Sequence, residues 1–294
     1  MLKKLLLGAA LFAAGATVSL AQTAEQKAPT AAETIEKAGG EAVERLKAAE
    51  LAKVVEKAAK VLRETQNAVL LLGQGKDEEA LKLLKKVSKE LEELIEEYGL
   101  VRLPVDVTFV EFDGVSDLET AKKLNAQVKE LVKNNNFVDA RFLLNLLRNE
   151  IDITTTYMPL ALYKQAVDLA VKLLEEGKRD AALLALQSAL GTLEIEVVVI
   201  PKPLLEAQLL VEKAEELYQV NPEEALKLLE RAKYDVELTI ALGYVSSEKD
   251  VEPLLEKIEK LMKAVKEHAE TTGKQFEEVK KGLEQLRQEA TTTR

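Results

Sequence analysis

The single histidine of the chain, His268, is the first residue to test for chemistry. On a helix its neighbours three and four positions away are Ala264, Val265, Thr271 and Thr272, none of which is a carboxylate or a second imidazole. A metal site needs several such ligands close together, and a general base needs a partner that orients it. We therefore interpret His268 as a solvent-facing residue of a helix rather than as a metal ligand or a base.

Paired glutamates and glycine-rich turns do not indicate catalytic or nucleotide-binding sites either. Neighbours such as Glu92 and Glu93 diverge by about 100° on a helix, so their carboxylates do not converge on one substrate. The segment 73–75 begins like a nucleotide-binding loop, but Glu78 stands where the third glycine belongs. The chain has no cysteine and no GxSxG sequence. We expect no catalytic, metal or cofactor site and no enzymatic activity.

Aromatic side chains give the one candidate binding site. If they lined one groove, they would form an amphipathic surface suited to apolar small molecules or unfolded protein segments. The alternative, which we favour, is that the tyrosines near the repeat junctions cap the core at helix ends. Two of these, Tyr234 and Tyr244, belong to a later repeat. The candidate groove residues are Phe109, Phe112, Tyr157, Met158 and Tyr163.

Helical hairpins are the elements that must position these residues. Four times a leucine-rich helix runs into a short polar turn, and an alanine follows in the next helix: Ala80, Ala140, Ala182 and Ala225. The last three alanines are spaced 42 and 43 residues apart. Such a recurrence indicates stacked antiparallel hairpins that bury their apolar faces against their neighbours. The predicted fold class is all-α, a helical bundle or short solenoid.

Two segments depart from the helical rhythm. Residues 104–112 alternate apolar and polar side chains, which predicts a short strand or extended segment. Residues 194–200 end in a β-branched run typical of a strand, but the repeat register favours a helix that continues to about residue 198. A helix resumes near Ser116, with Glu119 three positions later completing a capping box.

The N-terminal residues 1–21 have the features of a signal peptide. Lys3 and Lys4 precede an uncharged apolar run of 14 residues, 5–18, and small residues precede the expected cleavage after Ala21. We expect an exported, periplasmic protein without a membrane anchor after cleavage. Residues 22–34 lack apolar periodicity, and two adjacent glycines, 39 and 40, break any helix that begins there, so we predict a flexible leader over 22–40.

The remaining chain divides into a hairpin domain, 41–245, and a C-terminal tail, 246–294. In the tail, apolar residues recur three and four positions apart, which predicts a coiled-coil-like seam with a hinge at 271–273. The seam either folds back on the body, which we favour, or pairs with another copy to form a homo-oligomer.

The net charge of the chain limits the classes of partner that we expect. The formal net charge is −10, and removal of residues 1–21 takes away Lys3 and Lys4 but no acid, which gives −12. Nucleic-acid affinity comes mainly from lysine and arginine on phosphates, so we expect no nucleic-acid partner. Anionic membrane surfaces are disfavoured for the same reason.

One stretch of sequence resembles a known family. The run from Thr156 to Leu160, Thr-Tyr-Met-Pro-Leu, followed by the leucine pair 173–174, Gly177 and Ala182, is similar to the core motif of the YfdX family. The resemblance covers roughly residues 50–205, and the chain beyond about 205 exceeds a typical member. It implies an exported, largely helical bacterial protein linked to stress tolerance, with no catalytic residues to carry over.

These observations together lead to two functional hypotheses. The first is a non-enzymatic periplasmic protein for stress protection or binding, which holds small molecules or unfolded clients on a helical surface. The alternative is an oligomeric scaffold assembled through the C-terminal seam.

Overall fold

The computed structural model describes residues 29–245 and 248–293. These residues are mostly helical, with a small four-stranded sheet, so the predicted helical fold is confirmed. The predicted signal peptide and residues 22–28 lie outside the described residues. The elements in chain order are α1 (Ala31–Leu51), α2 (Glu56–Gly73), α3 (Asp77–Tyr98), β1 (Arg102–Asp113), α4 (Leu118–Lys133), α5 (Phe137–Leu147), β2 (Asn149–Pro159), α6 (Leu160–Glu175), α7 (Arg179–Gly191), β3 (Glu194–Pro201), α8 (Lys202–Leu217), α9 (Pro222–Leu242), α10 (Glu248–Glu267), α11 (Thr272–Ala290) and β4 (Thr292–Thr293).

The sheet has the order β1-β2-β3-β4, with every neighbouring pair antiparallel. A helical hairpin connects each of the first two pairs: α4–α5 joins β1 to β2, and α6–α7 joins β2 to β3. Because β1 ends where β2 begins, with Asp113 opposite Asn149, the hairpin α4–α5 leaves and re-enters the sheet at one end. The hairpin α6–α7 does so at the opposite end, where Tyr157 faces Glu194.

At one end of the sheet, α2, α3, α6 and α7 form a four-helix bundle. Helix α3 packs against α6, and α2 packs against α7. The repeat alanines Ala80 and Ala182 are completely buried in this bundle. Small side chains at these positions let the helices of each hairpin approach closely, which explains why alanine recurs at a fixed place after each turn.

At the other end, α8 and α9 form a second bundle with α1, α10 and α11. Helix α1 and helix α11 both pack on α8, while α10 packs on α9. The apolar seam of the tail, including Ile258, Leu261, Phe276 and Leu283, is buried in this core. The seam therefore folds back on its own chain, as the favoured interpretation predicted.

The flexible leader predicted for 22–40 is wrong from Ala31 onward, because α1 begins there. Thr30 and Glu33 form a capping box, and the Glu224 carboxylate accepts a hydrogen bond from the Ala31 N–H. The adjacent glycines do not break the helix: Gly39 lies within α1 beside Glu206 of α8. The small residues that hid the apolar pattern allow α1 to lie close to α8.

Two predictions at element boundaries are also wrong. Residues 194–201 are the strand β3, because the β-branched side chains pair with β2 instead of extending α7. Helix α4 is capped by Asp117, whose carboxylate accepts from the Thr120 N–H at 2.8 Å, so Ser116 does not form the predicted box. The extended segment predicted at 104–112 is confirmed as β1.

Candidate functional site

The five residues of the predicted groove do not line one surface. Met158 and Tyr163 are completely buried in the core of the four-helix bundle, whereas Phe109 packs against the core of the second bundle. The guanidinium of Arg102 lies 4.1 Å from the ring centre of Tyr157, and that of Arg148 lies 3.3 Å from the ring centre of Phe112. The groove prediction is therefore wrong, since these side chains are core or ion-stacking residues in separate places.

The apolar surface that the structure does expose lies on α5. Phe137, Val138 and Phe142 are 60%, 81% and 65% exposed, and Leu144 and Leu146 are also exposed. Only Ala140 and Leu147 of this 11-residue helix are buried. Large apolar side chains clustered on one exposed helix mark an interaction site more often than scattered ones do. We call these five exposed side chains the α5 surface.

The packing of the two bundles explains why α5 is exposed. In the four-helix bundle the hairpin α2–α3 pairs with the hairpin α6–α7, and α3 packs on α6. If the hairpins α4–α5 and α8–α9 packed in the same way, α5 would pack on α8 as α3 packs on α6. In the second bundle α1 and α11 pack on α8, and the main helix partner of α5 is α4. The apolar side chains of α5 are thus left on the outside.

Two tyrosines of the second bundle fix the α4–α5 hairpin in place. The Tyr234 hydroxyl accepts from the Leu118 N–H at 2.9 Å and donates to the Ser116 carbonyl at 3.0 Å, at the start of α4. The Tyr244 hydroxyl accepts from the Asn149 N–H at 2.9 Å, where β2 begins. Tyr244 lies just past the end of α9, as the favoured interpretation predicted, whereas Tyr234 lies in the middle of α9 and reaches the start of α4. The α5 surface is held at both ends of its hairpin.

A cavity of about 360 Å³ opens beside the C-terminal half of α5. It lies between α5, the start of β2 and the residues that follow α9. Gly243, which ends α9 with a φ of 90°, forms part of its wall, and few residue types other than glycine adopt that conformation. The exposed side chain of Leu144 belongs both to this wall and to the α5 surface. The cavity therefore continues the apolar surface.

Ionic side chains form the inner wall of the cavity. The Nε of Arg148 lies 2.5 Å from Oε1 of Glu150, and its Nη2 lies 2.9 Å from Oδ2 of Asp152. The Tyr244 hydroxyl donates to Oε2 of Glu150 at 2.8 Å. Burial, together with this carboxylate, raises the pKa of Tyr244, so the hydroxyl keeps its proton. Glu150 is nearly inaccessible to solvent and both of its oxygens are engaged.

A second ionic cluster lies inside the bundle of α8 and α9. Asp235 is completely buried, with Arg231 Nε at 2.9 Å from its Oδ1, and Arg231 Nη2 lies 3.1 Å from Oε1 of Glu206. Burial, reinforced by the charge of Glu206, raises the pKa of Asp235 to about 8. Burial also raises the pKa of Glu206. One guanidinium thus faces two carboxyl groups, and the raised pKa of Asp235 favours its protonated form.

Comparison with known proteins assigns the central part of this chain to a family. The family model described as YfdX protein matches residues 61–199. These residues belong to the YfdX family. A solved structure of Salmonella Typhi YfdX shares 16% identity with the chain, covering 49% of it and 90% of that protein, with a TM-score of 0.36. No curated protein matches the chain.

The YfdX region, residues 61–199, contains most of α2, the helices α3 to α7, the strands β1 and β2, and most of β3. It therefore includes the α5 surface and Arg148, whereas Tyr244 and Gly243 come from the chain beyond it. Helices α1 and α11, which pack on α8, also lie outside the YfdX region. The cavity is formed jointly by the YfdX region and the C-terminal helices.

The structure shows no sign of a metal site in the residues it describes. No three carboxylate or imidazole side chains within 29–245 and 248–293 are placed to hold an ion. His268 is exposed as predicted, but it follows the end of α10 with a φ of 52° rather than lying on a helix. None of the described helices is both long and apolar enough to cross a bilayer.

Sequence reasoning missed the α5 surface, although a signal was present. The sequence of α5 carries large apolar residues on every side, including Phe137, Val138, Phe142 and Leu146. A helix packed on one side buries only one stripe of side chains. Seen that way, the composition of α5 predicts either a second partner or an exposed apolar face.

Replacing Tyr244 with phenylalanine should weaken the attachment of the hairpin. Y244F removes the donor to buried Glu150 and the acceptor for Asn149, so we expect the free energy of unfolding to fall by about 1–3 kcal/mol. Urea unfolding followed by circular dichroism measures this change. Y98F, which alters an exposed tyrosine, is the control, and equal stability of the two variants would contradict the attachment.

Replacing Asp235 with asparagine should change how stability depends on pH. The pKa of Asp235 is higher in the folded state than in the unfolded state, so the folded state holds this proton more tightly. The free energy of unfolding of the unmodified chain therefore falls as pH rises toward about 8. D235N cannot ionise, and it should gain stability relative to the unmodified chain between pH 5 and pH 8, by at most about 1.4 kcal/mol per pH unit. Urea unfolding at both pH values measures this gain, and an identical difference at both would refute the assignment.

Proposed function

We propose that this chain is a non-enzymatic, exported binding protein that holds apolar ligands, including unfolded protein segments, on the α5 surface. The observation that supports the proposal is the cluster of five large apolar side chains exposed on one helix. Exposing such a cluster promotes aggregation unless the surface has a partner. Its persistence on an otherwise well-packed chain is most simply explained by a binding role.

The placement of the α5 surface suits a protein that binds without chemistry. The hairpin is fixed at both ends by Tyr234 and Tyr244, so the apolar side chains stand on a positioned support. A surface that is ordered before binding loses less conformational entropy when a ligand arrives. The family match is consistent with this proposal but assigns no activity to it.

The alternative, a scaffold assembled through the C-terminal seam, has no supporting observation. The seam residues of α10 and α11, such as Ile258, Leu261 and Phe276, are buried against α8 and α9 of the same chain. A seam that is already covered offers no apolar stripe to a second copy. We therefore retain the binding proposal alone.

Suppression of client aggregation tests the binding role. Insulin whose disulfides are reduced aggregates through exposed apolar segments, and the reductant leaves this chain unaltered because it has no cysteine. We expect an equimolar amount of the chain to suppress the light scattering without nucleotide. The double variant F137S/F142S should lose most of this effect, since it removes two of the most exposed apolar side chains of α5.

The matched control is L162S/L169S, which removes two leucines that are exposed on α6. It should suppress aggregation as well as the unmodified chain does. No suppression by the unmodified chain would overturn the proposal. Equal loss in the two double variants would show that α5 has no special role.

A further inference from the structure

The cavity beside α5 offers hydrogen-bond donors but few free acceptors. Arg141 forms no ion pair with any residue of 29–245 or 248–293, although it lines the cavity. Arg148 uses Nε and Nη2 for Glu150 and Asp152, and its Nη1 makes no hydrogen bond within the same ranges. Both oxygens of Glu150 are already occupied. An incoming group that accepts hydrogen bonds and carries negative charge is the best match.

Arg141 is also surrounded by apolar side chains on its own helix. Phe137 and Val138 precede it by four and three residues, and Leu144 follows it by three, so all three lie beside it on the helix surface. An uncompensated cation in the middle of an exposed apolar face is unusual, because surface arginines commonly pair with acids in this chain. The arrangement suits a ligand that is apolar along most of its length and anionic at one end.

The C-terminal end of α5 does not strongly oppose an anion. Helix carbonyl ends carry partial negative charge, which repels anions. Here the Leu146 carbonyl accepts from the Val115 N–H at 3.0 Å, and the Asn145 carbonyl accepts from the Arg148 N–H at 3.4 Å. The approach of Val115 requires the preceding Gly114, since a Cβ there would lie 2.3 Å from the Arg148 carbonyl oxygen. Two of the exposed carbonyls are thus already satisfied.

We propose that this site binds a free single-chain amphipathic anion, such as an acyl carboxylate. The carboxylate pairs with Arg141 at the mouth of the cavity, and the hydrocarbon chain lies along the α5 surface. The inference deepens the proposed function, on which it rests, because it assigns a ligand class to the same surface. Leu144, which lines the cavity and belongs to the α5 surface, connects the two.

Calorimetric titration of the full chain with two probes that share a ten-carbon chain tests the proposal. Decanoate carries an anionic head and decyltrimethylammonium a cationic one, and both are used below their micelle concentrations. We expect decanoate to bind at least ten-fold more tightly. R141Q should weaken decanoate binding about ten-fold and leave the cationic probe unchanged, R141K should retain most of the affinity, and R63Q, at a distant exposed arginine, should have no effect.

Each other outcome overturns the inference in a distinguishable way. Equal binding of both probes, lost in F137S/F142S, would remove the anion preference and leave the proposed function intact. Binding of neither probe would remove the α5 surface as an apolar site, and the proposed function with it. If the chain sedimented with phosphatidylglycerol vesicles but did not bind decanoate, Arg141 would be a contact for an anionic membrane surface rather than for a free ligand.

Discussion

Helix α8 has room for a limited number of neighbours, and that limit shapes the rest of the structure. Helices α1 and α11 both pack on it, together with its hairpin partner α9. The Glu224 carboxylate fixes the start of α1, and the apolar side of α11 fills the core beside α8. Because protein interiors are close-packed, a further helix cannot enter there. Helix α5 is consequently left with α4 as its main helix partner, and its apolar side chains face outward.

Helical hairpins inserted between antiparallel strands make this arrangement possible. Each hairpin leaves and returns to the sheet at the same end, so the two bundles grow on opposite ends of one small sheet. In the four-helix bundle the inserted hairpin α6–α7 packs against the hairpin α2–α3, which precedes β1, and the two share one buried core. In the second bundle the helices α1, α10 and α11 cover the hairpin α8–α9. Of the hairpin α4–α5, they leave α5 exposed. The same repeated unit therefore builds a closed core in one place and a candidate binding surface in the other.

The repeated part of the fold could be predicted from the sequence because its signals are local. Ala80, Ala140, Ala182 and Ala225 mark the hairpins, and the alternation in 104–112 marks β1. Thr30 and Glu33 also carried the spacing of a capping box, which could have revealed α1. The repeat register misled at 194–198, because the equivalent earlier segment is the strand β2 and only the later one is helical.

The candidate site could not be predicted because it depends on contacts between distant segments. Tyr244 meets Asn149 and Glu150 across more than ninety residues of chain, and no local pattern indicates this pairing. The exposure of α5 depends in turn on α1 and α11, which come from opposite ends of the chain. Periodicity in the sequence identifies the side chains that can be buried. Which of these side chains are buried depends on which helices pack on α8.

Hydrogen exchange of the backbone amides tests most directly whether α5 lacks a second partner. Helix α7 is the matched reference, since Ala182 holds in it the place that Ala140 holds in α5 and α7 is covered in the four-helix bundle. Amides of a helix covered on one side only open more easily. We predict that residues 141–147 exchange at least about ten-fold faster than residues 183–189. Equal protection of the two helices would contradict the account, because it would mean that α5 is covered in solution.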